Sequence, residues 1–242
     1  MLSDDPPPRT THSILKTQSA NVRASCYGWC SDEHREKLLE RLVGITGAIG
    51  FDGKVNLVEH EIVYGPAVEV PPGTRRKDIV LRLRSDVLSN NNQFISFHKR
   101  NWHLSHQGAP EPRPNDKEII VQRVVNESVV AGDQFGWLEG LGYKLLHEFT
   151  RQGYRFSYGK VVLSVSRMYE LTEKHKVSTS RLLPQHRDIW LVEIVSLPQT
   201  QDRVDGVWDD LHGVVACLEG LVKMVPVEEG VLENRVIVNV NE

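Results

Sequence analysis

From Lys54 onward the apolar residues recur at every second position, and that period commits most of the chain to β-structure. Lys54–Tyr64, Asp78–Val87, Gln93–His106 and Lys117–Val129 all alternate in this way, separated by clusters of Gly, Pro and Asn. Alternation sends successive side chains to opposite faces, so each run reads as a strand. A short strand around Asn21–Tyr27 precedes them. Tyr143–Arg151, Tyr154–Tyr158, Lys160–Leu171 and, after a polar break at 173–187, Asp188–Leu197 follow. The helical period appears in three places. Leu38, Leu39, Leu42, Val43 and Ile45 share a face, with Asp32 as N-cap and Gly47 past the end, predicting a helix over 32–46. Gly132–Leu141 reads as a short helix, and residues 202–223 carry a broad apolar stripe that includes Val207, Leu211, Val214 and Leu218. Eight or nine strands with three helices predict an α+β fold: an antiparallel, tunnel-like β-barrel flanked by helices. Residues 1–20, rich in Pro, Ser and Thr, read as a disordered segment, 21–226 as one barrel domain, and 227–242 as a tail.

A formal net charge of −3 and a pI near 6.4 lack the basic footprint of a protein that grips phosphate backbones, so no direct nucleic-acid contact is expected. The apolar runs are far shorter than the roughly 20 residues that span a bilayer. Asp4, Asp5 and three prolines near the start do not read as a signal peptide. Cys26, Cys30 and Cys217 are a sparse, odd set that suits reducing conditions and lacks the second close pair of a structural zinc site.

The sharpest chemical signal is Glu59-His60-Glu61. Residues two apart share a strand face, so Glu59 and Glu61 point one way with Leu57 and Val63, and His60 points the other way with Val58 and Ile62. Arg82 and Arg84 repeat the pattern with opposite sign, and Glu193 stands alone among Leu191, Val195 and Leu197. These five residues are the candidate lining of a tunnel, vestigial rather than catalytic; the alternative is a pair of acids on a solvated strand face. The pattern is similar to a worn version of the triphosphate-tunnel family, whose first tunnel strand carries Glu-x-Glu-x-Lys and whose late strand carries a second Glu-x-Glu. Here Val63 takes the place of the lysine, and the late pair is reduced to Glu193 with Val195. A divergent metal-dependent phosphohydrolase is therefore the alternative function. His103 and His106, three apart, fall on opposite faces of a strand and cannot chelate together.

Two further motifs bear on function. The first is Trp102-His103-Leu104 with Gly108, Pro110 and Glu111; the second is His147-Glu148-Phe149 with Gly153, Phe156 and Gly159. In their order and spacing they resemble the subunit 18 family of Mediator of RNA polymerase II transcription, over about residues 20–226. The resemblance implies a non-catalytic subunit of the Mediator head module, a coactivator that bridges regulators and RNA polymerase II. It implies a nuclear protein that works by protein–protein binding and needs no cofactor. It also implies two partners: Mediator subunit 20, whose related barrel pairs with this one, and a C-terminal helix of Mediator subunit 8.

Overall fold

The alternating runs form β1 (Asn21–Ser31), β2 (Lys54–Pro66), β3 (Leu81–Asp86), β4 (Trp102–Pro110), β5 (Val121–Val130), β6 (Tyr143–Tyr158), β7 (Val161–Leu171) and β9 (Ile189–Ser196), with short strands β8 (Ser180–Leu182), β10 (Gln199–Thr200) and β11 (Lys223–Val225). The helices are α1 (Arg35–Thr46), α2 (Gln134–Gly140) and α3 (Val204–Cys217). The computed structural model describes residues 21–47, 54–67, 79–112, 115, 118–200, 204–228 and 232. The 1–20 segment and most of the 227–242 tail lie outside these residues.

Eight strands close on themselves in the order β1-β5-β4-β3-β2-β6-β7-β9, and β9 returns to β1; every pairing is antiparallel. Closure removes the open sheet edges that would otherwise invite association. The short strands extend the sheet at its margins: β8 pairs with β7, and β10 and β11 pair with β1.

The apolar cores lie outside the barrel wall. Leu38 and Leu42 of α1 and Val207, Leu211 and Val214 of α3 pack against the outward faces of β1, β6, β7 and β9, including Ala24, Cys26, Phe156, Leu163, Val192 and Ile194. A second, smaller cluster joins Leu138 of α2 to Ile62, Tyr64, Leu83 and Trp102. The helices thus cover one strand face, and the opposite face is left to line a polar interior.

Several elements differ from the sequence expectation. The predicted break at 152–153 is absent, and β6 runs unbroken through 16 residues. Gly153 sits there because β7 crosses closely: a Cβ at this position would lie 2.8 Å from the Cα of Ser166. Residues 93–101 are an irregular connection with one bridge, Phe94 to Leu88, and a 3-10 helix at Phe97–Lys99, so β4 starts only at Trp102. Strand β4 continues through 107–110, where a loop was expected. Asp32 does not cap α1, whose N-cap is His34; its carboxylate accepts from Trp190 Nε1 and Arg167 Nη2, both at 2.7 Å. Gly47 does end α1, at φ +66°. Helix α3 stops at Cys217 rather than 223: a turn with Gly220 at φ +80° leads into β11. The 173–187 break holds β8 between two 3-10 turns, Val177–Thr179 and Pro184–His186.

Candidate functional site

The strand register decides what the barrel encloses. Pairing places Glu59 opposite Asp86 and Arg151, Glu61 opposite Arg84, and Glu193 opposite Tyr27 and Ser164. A cavity of about 340 Å³ opens between the strands, lined among others by Glu59, Arg84, Asp86, Arg151, Arg155 and Glu193. Glu61 lies beside it, bonded to Arg84, and Arg82 joins from the neighbouring position on the same face of β3.

Each acid in this network is engaged by guanidinium groups. Glu59 Oε1 accepts from Arg151 Nη2 at 2.6 Å and Nε at 3.0 Å, and its Oε2 accepts from Arg155 Nη2 at 2.9 Å. Glu61 Oε1 accepts from Arg82 Nη1 at 2.6 Å and its Oε2 from Arg84 Nε at 3.0 Å. Arg151 Nη1 bridges on to Glu193 Oε2 at 2.7 Å, and Arg155 reaches Asp86 at 3.4 Å. Burial alone would raise the Glu59 carboxyl, but Arg151, Arg84 and Arg155 outweigh it and hold the group at about 2. Burial opposes ionisation of Glu61 as well, and Arg84 and Arg82 pull it below the usual carboxylate range. Glu61 beside Arg84 raises the guanidinium in turn.

A divalent cation here would have to displace a guanidinium from each of the two central acids. A triphosphate would find Arg82, Arg84, Arg151 and Arg155 committed to carboxylates. Arg23 is likewise bonded to Glu127 at 2.9 Å, while Arg123 donates to neutral oxygens, the Leu232 carbonyl and the Tyr27 hydroxyl.

A second polar cluster lies on the outer wall. Arg100 Nη1 is 3.1 Å from His60 Nδ1, His60 Nε2 is 2.8 Å from Glu148 Oε2, and His175 Nδ1 is 2.9 Å from the same oxygen. His60, Glu148 and His175 bring metal-ligand atom types within 4.8 Å of one another. The hydrogen bonding does not suit a metal. A guanidinium only donates, so Nδ1 of His60 must accept and its ring proton sits on Nε2, where a metal would need the lone pair.

Glu59, Arg84 and Glu193 thus meet in one cavity, with Glu61 and Arg82 alongside. Arg151, Arg155 and Asp86 complete the network, and sequence reasoning missed them. Splitting β6 in two hid that Arg151 and Arg155 fall on the same face of one strand. His103 lines the cavity 4.0 Å from Glu127, while His106 falls on the opposite side of β4. Cys26 and Cys30 belong to the outer core, and burial pushes their thiols up to about 12 and about 11.

The sequence pattern of the family described as Med18 protein matches residues 23–227. Mediator of RNA polymerase II transcription subunit 18 from Yarrowia lipolytica is 22% identical over 218 residues, covering 79% of this chain and 92% of that protein. The Xenopus laevis protein of the same description is 23% identical over 224 residues, covering 92% of this chain and 96% of its own length. Among solved structures, a chain of the Schizosaccharomyces pombe Mediator head module superposes with a TM-score of 0.66 at 18% identity, over 84% of this chain and 97% of that one.

Proposed function

This chain belongs to the Med18 protein family, and on that premise we propose that it is a non-catalytic subunit of the Mediator head module that works by binding its neighbours in the complex. The lumen carries the non-catalytic part of this reading: both carboxylate oxygens of Glu59 and of Glu61 already accept guanidinium N–H groups. Metal-assisted phosphoryl transfer needs acids open to the ion and cations open to the phosphates. In this chain the two sets neutralise each other and act as internal struts. The lumen strand that would supply a second acidic pair offers Glu193 alone, itself bonded to Arg151.

The finer reading follows the family. Mediator subunit 20 is the proposed barrel partner and the C-terminal helix of Mediator subunit 8 the proposed tether, in the nucleus. Purifying the tagged chain from a nuclear extract and assaying the eluate for phosphate release from triphosphate with magnesium or manganese tests both parts. Recovery of other head subunits without turnover is the expected result. Turnover abolished by Glu59→Gln would overturn the non-catalytic reading.

A further inference from the structure

Arg100 is a buried cation without a carboxylate among the described residues. Only 7% of its surface is exposed. Its Nε donates to the Ile95 carbonyl at 3.1 Å, its Nη1 to His60 Nδ1 at 3.1 Å, and its Cζ lies 5.6 Å from the ring centroids of Phe94 and Phe97. Both of its acceptors are neutral: one is a backbone carbonyl and the other an imidazole lone pair. That lone pair is also the next protonation site of His60, because the other ring nitrogen already carries the proton it donates to Glu148.

We propose that the Arg100–His60 contact is a proton-operated clasp that holds the β3–β4 connection against the barrel wall. A proton arriving at His60 Nδ1 sets N–H against N–H and imidazolium against guanidinium in a buried place. The two cannot stay 3.1 Å apart, and Arg100 leaves. The His60–Glu148 bond survives this step, since the imidazolium still donates to the carboxylate. What opens is the turn that carries Phe97, whose ring stacks on His175 at 4.9 Å and on Phe135 at 5.2 Å and meets Trp102 edge-on at 5.5 Å. Opening uncovers that aromatic cluster.

The charged and titratable groups around the clasp come from every neighbouring element. They are Glu148 from β6, His175 from the 173–187 segment, Tyr64 from β2, and His98 and Arg100 from the connection itself. Burial lowers the His60 pKa from the usual 6.5, and Arg100 and His175 add to that against the pull of Glu148. A folded-state value below the unfolded one means the clasp is fully closed above pH 6.5 and is lost as the pH falls through the lowered value.

Hydrogen exchange of the full chain between pH 7.5 and 5, corrected for intrinsic rates, tests this directly. The reporters are the amides of Ile95 and Lys99, bonded to the Val87 and Ser96 carbonyls. Their opening should grow by up to about tenfold per pH unit as the pH falls below 6.5, the value of the released imidazole, and level off below the lowered value of the closed one, while barrel amides such as those of β6 stay protected. Arg100→Met should open the same amides at pH 7.5 and abolish the pH response. Nitrogen-15 spectra of the wild type should show His60 protonated on Nε2 at pH 7.5. PH-independent exchange of these amides, a proton on Nδ1 at pH 7.5, or stoichiometric zinc binding that His175→Ala abolishes would each overturn the clasp.

Discussion

Glu59 is the residue on which most of the lumen depends, because three guanidiniums converge on its carboxylate. Glu59→Gln keeps the shape and removes the buried charge, leaving the half-buried Arg151 and Arg155 without their main counter-ion. Breaking a buried pair from one side costs on the order of 3–5 kcal/mol, and urea melts of the variant should show a loss of that size. The exposed Lys176–Glu173 pair is a contrasting case: Glu173→Gln should change stability by at most about 1 kcal/mol. The same carboxylate sets an acid limit. Its folded value of about 2 lies below the ordinary 4.5, so its contribution is complete above pH 4.5 and is lost as the pH falls through 2. The difference corresponds to roughly 3 kcal/mol. Wild-type urea midpoints should therefore fall between pH 4.5 and 2.5, and Glu59→Gln should flatten that slope.

At the scale of elements, two positions give sharp tests. Asp133 caps α2 through a 2.9 Å bond from the Gly136 amide to its Oδ1, so Asp133→Ala should cost about 1 kcal/mol, read by chemical denaturation. Gly153 lets β6 pass β7 without a Cβ, so Gly153→Ala should destabilise by about 1–3 kcal/mol or more through backbone crowding. Gly153 also shows what was legible in the sequence. The alternation of Glu59, Glu61, Arg82 and Arg84 assigns each pair to one face of its strand, because period 2 is a local property. A glycine between Gln152 and Tyr154 looks locally like a strand end, and only the passage of β7 beside it explains its presence in mid-strand. For the same reason Arg151 and Arg155 stayed invisible as partners of Glu59. Asp32 failed as an N-cap for a related cause: Trp190 and Arg167, over 130 residues away in sequence, compete for its carboxylate and win. The Arg100–His60–Glu148–His175 relay joins four separate segments, and no spacing rule connects them.

Over the whole molecule, the barrel separates two kinds of cohesion. Apolar packing of α1 and α3 holds the outside, and a network of paired acids and arginines holds the inside. A lumen cross-braced by ion pairs is compatible with the binding role proposed above. Partners that bind only the folded state raise its apparent stability by mass action, about 2.7 kcal/mol at a hundredfold excess over Kd. For a chain of this size, with a shift of about 2–4 °C per kcal/mol, the melting midpoint should rise by several degrees. The most direct test of the account is size-exclusion chromatography of the purified chain mixed with Mediator subunit 20 and the C-terminal helix of Mediator subunit 8. The account predicts that all three co-elute as one complex, and that Glu59→Gln still joins it at a temperature where the variant is folded. Elution of the folded wild-type chain alone, at concentrations where the other two are in excess, would contradict it.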